Sequence, residues 1–206
     1  MKGKFIVLEG GEGAGKGAVR KFLENKFPEA VFTREPGGTP LAEKIRDAMI
    51  CPEAKEASAE TQFALIWAAR FDHVRAKVQP ALESGRTVIC ERFDSSTYAY
   101  QIHGQKAPHL KPPFFEFRRL LGETVPDLYI FLDVGAKAGV ARVAGNKNKE
   151  EPLDHFEKRP LDFHARVREG YAEFFKTVPH VIVDASRPLE EVQEEILAIM
   201  RKYLRS

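Results

Sequence analysis

Residues 10–17 read Gly10-Gly11-Glu12-Gly13-Ala14-Gly15-Lys16-Gly17 and follow directly on the apolar run Phe5-Ile6-Val7-Leu8 and Glu9. Gly10, Gly15 and Lys16 fit the G-x-x-x-x-G-K spacing of a phosphate-cradling loop between a strand and a helix. Glycines let the backbone wrap so that successive N–H groups point at phosphate oxygens. The helix that follows, from Lys16, Gly17 and Ala18 onward, adds its positive end. Lys16 is placed to reach β- and γ-phosphates. One position departs: Gly17 stands where a Ser or Thr would hold Mg²⁺, and Ala18 offers no hydroxyl either. Two rivals stay open. Gly13 to Ala18 also satisfies the dinucleotide pattern G-x-G-x-x-G/A, with Glu35 near the expected ~20 residues on. That pattern leaves Gly10 and Gly11 without a role and puts a lysine in the turn. A merely tight turn is the other rival, disfavoured by the entropic cost of five glycines in eight positions.

Two further segments carry charge where an apolar run stops. Thr33-Arg34-Glu35-Pro36-Gly37-Gly38-Thr39 places an arginine beside a flexible glycine pair, and Cys90-Glu91-Arg92-Phe93 places an acid beside a second arginine. Arginine suits bidentate phosphate recognition. A carboxylate such as Glu91 at the end of a buried strand can hold a metal's water shell. A surface salt bridge is the plainer reading of Arg34, and pairing with an arginine the plainer reading of Glu91. Two arginines and a glycine loop at neighbouring strand ends imply two phosphate sites facing one another, the arrangement for phosphoryl transfer between two nucleotides.

These residues need a scaffold that brings strand ends together. Apolar, β-branched runs recur at Phe5–Leu8, Ala30–Thr33, Thr87–Cys90, Leu128–Leu132 and Val181–Val183. They are continuous rather than alternating, so strands buried on both faces are expected. Leu41–Ile50, Glu60–Leu82 and Leu189–Leu204 carry apolar residues at helical spacing. Pro188 suits the entry to the last helix, and Gly85 a stop after Leu82. The alternation predicts an α/β fold, a five-stranded parallel sheet with helices on both faces, with ligands outside the carboxyl ends of the strands. Gly104–Pro113 and Gly145–Pro152 read as loops.

Composition sets outer bounds. The chain has 206 residues, 43% hydrophobic and 30% charged, which fits a single domain over 1–206 and excludes a disordered or collagen-like chain. Lys and Arg number 32 against 30 Asp and Glu, a net charge of +2 that gives no reason to expect a nucleic acid as partner. Cys51 and Cys90 make no disulfide framework or zinc site. The apolar run before Glu9 is too short for a signal-peptide core, and no run spans a bilayer, so a cytoplasmic location without membrane partners is expected.

With these residues in view, the chain resembles a bacterial-type thymidylate kinase of the P-loop nucleoside-monophosphate kinase group. The resemblance rests on Phe5 to Gly10 running into Glu12-Gly13-Ala14-Gly15-Lys16, and above all on Arg34-Glu35-Pro36-Gly37-Gly38-Thr39. Ala68-Ala69-Arg70, Glu91-Arg92-Phe93, Ser96 to Gln101, Pro126 to Val134 and Asp184-Ala185-Ser186 complete it. It implies transfer of phosphate from Mg²⁺-bound ATP to dTMP by a homodimer. It further implies that Gly10 to Ala18 and Asp184-Ala185-Ser186 meet ATP, and that Glu12 meets the dTMP sugar. Arg34 and Arg92 would bind the dTMP phosphate, Arg70 the thymine ring, and Ser96 and Gln101 the thymine pocket. Tyr100 would crowd the sugar 2′ position, while Tyr98 packs. Ile66 stands where the family has a Phe stacked on thymine, and Trp67, one step round the helix, is expected to face elsewhere. Glu91 stands for the usual Asp, as the expected metal residue. Among a lid near 142–154, Arg142, Lys147 and Lys149 are the cations, with Arg142 and Lys147 expected to act on the transferred group alongside Lys16 and Arg92.

Overall fold

The computed structural model describes residues 2–145 and 154–205. Five strands, β1 (Phe5–Glu9), β2 (Val31–Arg34), β3 (Val88–Glu91), β4 (Leu128–Asp133) and β5 (His180–Asp184), form one sheet in the order β2-β3-β1-β4-β5. Every pairing is parallel. Each strand ends on a charged residue, Glu9, Arg34, Glu91, Asp133 or Asp184. The strands therefore run one residue past the apolar runs, because a backbone ladder needs only N–H and C=O groups and continues after the side chains turn polar. The five charged ends share the edge where a parallel sheet binds ligands.

Alternate residues of the strands feed two cores. Phe5, Val7, Tyr129 and Phe131 pack on one face with Trp67, Phe93, Phe174 and Phe175. Ile6, Leu8, Ile130 and Leu132 pack on the other with Val19, Leu23, Val192 and Ile196. The helices supplying the second core are α1 (Lys16–Lys26) and α9 (Leu189–Arg205). The first core takes α3 (Ala59–His73), which continues through a π-helical stretch, Val74–Val78, into α4 (Gln79–Glu83). It also takes α5 (Asp94–Thr97), a further π-helical stretch, Tyr98–Gly104, and α8 (Leu161–Phe174). Between them lie α2 (Pro40–Ile50), α6 (Lys111–Arg119) and α7 (Ala136–Ala144).

Local signals in the sequence do their expected work. Thr39 caps α2 by accepting from the Ala42 N–H at 3.2 Å, and Pro40 opens that helix. Gly85 takes φ 80° and donates to the Leu82 carbonyl at the end of α4. Three expectations are corrected. β2 and β5 are edge strands and are not buried on both faces; Ile182 is 55% exposed. The span Glu60–Leu82 is not one regular α-helix, since the π-helical stretch interrupts it. Most of Gly104–Pro113 is a 3-10 turn and the start of α6, because proline is admitted in a helix's first turn. No helix among the described residues is long and apolar enough to cross a membrane.

Candidate active site

Between β1 and α1 the glycine loop closes tightly. Gly13 and Gly15 sit at φ 70° and 84°, a region that glycine enters without steric cost. A Cβ on Gly10 would fall 2.7 Å from the Leu132 carbonyl oxygen, and one on Gly13 would fall 2.2 Å from that of Gly139. Nothing lies within 4 Å of a Cβ at Gly11 or Gly17, so the steric demand for glycine rests on Gly10, Gly13 and Gly15. Ala14 is buried in the core under the loop. α1 starts at Lys16 with no side-chain cap, which leaves its first amides, including those of Gly17 and Ala18, for an anion. Lys16 Nζ donates to the carbonyls of Gly10 and Gly11, both at 2.9 Å. Burial, and the Arg92 charge nearby, lower its pKa to about 8.

Beside the loop lies a cavity of about 240 Å³. Arg34, Arg46 and Arg92 line it, as do Ile66, Ser96, Tyr100 and Gln101, with Glu12 and Glu91 on the loop side. Arg92 is the most constrained. It takes φ 66°, unusual for a side-chain-bearing residue, and its Nη2 donates to Glu12 Oε1 at 2.9 Å. Its Nη1 lies 3.2 Å from the Tyr100 hydroxyl and 3.4 Å from the hydroxyls of Ser96 and Tyr171. The Tyr100 hydroxyl also donates to Glu12 at 2.6 Å. Burial opposes ionisation of Glu12, but Arg92, Lys16 and the Tyr100 hydroxyl outweigh it and bring the pKa to about 2. Glu12 is therefore a fixed anion between the loop and the cavity. Arg34 donates to Glu43 at 2.9 Å and to the Pro36 carbonyl, and Arg46 also reaches Pro36. Burial and the Arg34 charge lower the pKa of Arg46.

Arg70 lies behind this wall. Its side chain is fully buried, with Nε on Glu35 at 2.8 Å and Nη2 on Thr97 at 3.0 Å, and it stacks over Trp67 and Phe93. His73 completes the set, between Glu35 and Thr33. Arg70 Nη1 is buried without a hydrogen-bond partner, and so is Gln101 Oε1. Ile66 faces the cavity, whereas Trp67 packs among Phe63, Phe71, Phe114 and Phe117, as one helical step of separation demands. Tyr98 packs against Phe114 and Phe174.

Glu91 lies at the end of β3, beside Arg92 on the cavity wall, and the other expected residues among those described lie beyond the ends of β4 and β5. Glu91 pairs with Arg20 at 3.5 Å. Arg142, on α7, donates to the carbonyls of Ala185 at 2.7 Å and Ser186 at 3.1 Å, so it is fastened to the turn after β5. Asp184 caps that turn by accepting from the Ser186 N–H and hydroxyl. Lys147 and Lys149, with most of the expected lid, fall outside the described residues.

The dinucleotide alternative fails on topology. A dinucleotide-binding half places β2 directly beside β1, but here β3 lies between them. Glu35, its would-be ribose ligand, is buried on Arg70 and His73. Sequence comparison decides the family. Residues 8–196 match the thymidylate kinase family. The chain belongs to that family. The thymidylate kinase of Pseudomonas fluorescens is 39% identical over 210 residues, covering 99% of this chain and 98% of its own. That of Alkalilimnicola ehrlichii is 41% identical over 206 residues, covering 96% and 93%. That of Pseudomonas putida strain F1 is 38% identical, covering 97% and 96%. For a thymidylate kinase, the residues that sequence reasoning missed are Arg46, Tyr171 and Glu9. Arg46 sits on an amphipathic helix, where arginine usually marks the solvated face. Tyr171 is 162 residues from the carboxylate that it bonds. Glu9 carries a signal, a carboxylate ending a fully apolar run at the ligand-binding edge, but that position does not tell what it bonds.

Proposed function

We propose that the chain transfers the γ-phosphoryl group of ATP to dTMP, giving dTDP and ADP. The observation that carries this reading is the set of three guanidinium groups, Arg34, Arg46 and Arg92, around one cavity next to a phosphate loop with no arginine of its own. Three cations in a confined space suit a phosphate dianion. The base end is supported by a buried acceptor on the cavity wall, Gln101 Oε1, and by a buried donor behind that wall, Arg70 Nη1, neither with a hydrogen-bond partner among the described residues. Thymine offers the complement, an acceptor at O4 and a donor at N3. Leaving such groups unpaired costs about 1–3 kcal/mol each, so a matching base gains and a mismatched one does not.

The acceptor phosphate attacks the γ-phosphorus in line and needs no strong base, since a phosphate dianion is already nucleophilic. Arg92 and Arg34 orient it. Lys16 leaves the Gly10 and Gly11 carbonyls to neutralise charge on the transferred group. Glu12 holds Arg92 and receives the sugar hydroxyl, and Tyr100 beside it excludes a 2′-hydroxyl. Arg142 holds the Ala185–Ser186 turn against the ATP base; Lys147 is the lid cation. Among the described residues no cluster of three metal-ligating side chains occurs. The donor set therefore fits a Mg²⁺ held mainly by ATP phosphates and water, with Glu91 as its carboxylate. Such an ion would screen the negative charge of the phosphates. A homodimer and a cytoplasmic location belong to the same reading, and sedimentation tests the former.

The deciding experiment is ADP release from Mg²⁺-ATP with dTMP, dUMP, dGMP, CMP and AMP as acceptors. dTMP should give the highest kcat/KM. A better rate with AMP or CMP overturns the assignment. Gly17 favours one second reading, a nucleotide-binding relative with little turnover, and ADP release no faster with dTMP than without it would establish that.

A further inference from the structure

The Glu9 carboxylate is fully buried and does not line the cavity, yet it accepts four hydrogen bonds. Oε1 takes the Phe93 N–H at 2.8 Å and the Ser95 hydroxyl at 2.6 Å. Oε2 takes the Ser96 hydroxyl at 2.8 Å and the Tyr171 hydroxyl at 2.9 Å. We infer that Glu9 is a positioning residue for Arg92, setting the conformation in which that arginine meets the acceptor phosphate.

Two independent constraints converge on this. Arg92 occupies the left-handed backbone region, which a residue with a side chain holds only where its surroundings impose it. Both peptide groups that fix its conformation are held by consecutive residues of β1. The Arg92 N–H donates to the Leu8 carbonyl at 2.9 Å, and the next N–H, that of Phe93, donates to Glu9. The guanidinium is then steered by hydroxyls that Glu9 also holds. Ser96 and Tyr171 each lie 3.4 Å from Arg92 Nη1 and each bond Glu9 Oε2. The carboxylate thus controls the backbone of Arg92 from one oxygen and its side chain from the other, without touching it. An amide in its place has one acceptor oxygen for four donors, so one pair must face an NH₂ group.

The inference rests on the proposed acceptor site, and a double-mutant cycle tests it. Glu9→Gln, Arg92→Ala and the double variant are assayed for kcat/KM toward dTMP and for the ATP dissociation constant. Glu9→Gln alone should lower kcat/KM for dTMP tenfold or more, mainly through KM, with ATP affinity within twofold of the parent. In the Arg92→Ala background the same change should cost less than threefold. An equal loss in both backgrounds, or an equal loss of ATP affinity, overturns the inference and makes Glu9 a general support of the fold. Should Glu9→Gln fail to melt cooperatively, Ser95→Ala takes its place in the cycle, since it removes one Oε1 donor and touches neither Arg92 nor the cavity; additivity there overturns the inference. If the parent enzyme prefers another monophosphate, the functional reading fails, and the same cycle on that acceptor still decides the role of Glu9.

Discussion

Gly139, on α7, lies against Gly13 of the phosphate loop so closely that neither tolerates a side chain. A Cβ on Gly139 would fall 2.2 Å from the Glu12 carbonyl oxygen, and one on Gly13 would fall 2.2 Å from the Gly139 carbonyl oxygen. This contact seats α7 directly on the glycine loop. The same helix carries Arg142, fastened to the turn after β5.

Gly139→Ala should therefore push α7 off the loop. Backbone cannot swing aside as a side chain can, so the overpacking should cost about 1–3 kcal/mol of stability. The ATP dissociation constant should rise while dTMP affinity holds, because the acceptor cavity lies on the other side of Glu12. Isothermal titration with each nucleotide separates the two, and unchanged ATP affinity would show that the contact is not used.

Arg92→Ala removes the clamp tied to Glu12 and should cost about 2–4 kcal/mol in kcat/KM for dTMP. Arg46→Ala should act on the same parameter but less, since among the described residues its guanidinium makes one hydrogen bond, to the Pro36 carbonyl at 3.4 Å. Steady-state kinetics at saturating ATP give both values. If Arg46→Ala is silent, its place in the cavity wall is packing alone.

How much of this was legible in the sequence follows a physical line. The glycine loop, the strand order of chemistry and the residues at each strand end are local facts of spacing, and the structure puts Arg34, Ser96, Arg92 and Tyr100 on one cavity. What escaped depends on long-range pairing. Spacing offers Glu35 as the acid of the rival dinucleotide pattern, but it is bonded by Arg70 and His73 from a helix that begins 24 positions later at Ala59. Glu9 and Tyr171 become partners only when α8 packs across β1. Exposure of β5 was hidden because an edge strand and a central strand use the same apolar residues.

Ile66 faces the cavity, and on the proposed reading it would present less flat surface to the base than phenylalanine. Ile66→Phe should tighten dTMP binding by about 0.5–1.5 kcal/mol, the value of an aromatic stack. Trp67 cannot compensate, being held in the core by four rings. Calorimetric titration checks this, and weaker binding in the variant would mean that the ring overfills the cavity.

The depressed pKa of Lys16 sets a pH dependence. Burial and Arg92 bring it to about 8 in the nucleotide-free protein. ATP stabilises the protonated form, so binding takes up a proton once the pH exceeds that value. ATP affinity should be level below about pH 7, fall as pH rises through 8, and approach a tenfold loss per pH unit above it. Lys16→Arg should flatten the curve while changing its level. Titrations from pH 6.5 to 9.5, values chosen to bracket about 8, decide the matter. A level curve across that interval would show that Lys16 stays charged.

The missing hydroxyl at Gly17 leads to the last expected outcome. A Cβ there meets nothing within 4 Å, so a side chain can begin at this position without displacing the loop. Mg²⁺ keeps several waters and takes few protein ligands, so the lost hydroxyl can be made up by one more water. On the proposed reading, Glu91, one methylene longer than aspartate, would then bear more of the ion's hold from the protein side. Its pairing with Arg20 at 3.5 Å competes with that role, and Glu91 is only partly buried. Gly17→Thr should lower the Mg²⁺ concentration for half-maximal activity, Glu91→Ala should raise it, and Arg20→Ala should lower it slightly by freeing the carboxylate. The three shifts together distinguish a metal-binding Glu91 from one that serves only Arg20. If Glu91→Ala and Arg20→Ala leave the midpoint alone while Gly17→Thr moves it, the ion is held at the loop and by ATP, and Glu91 is a structural anion for α1.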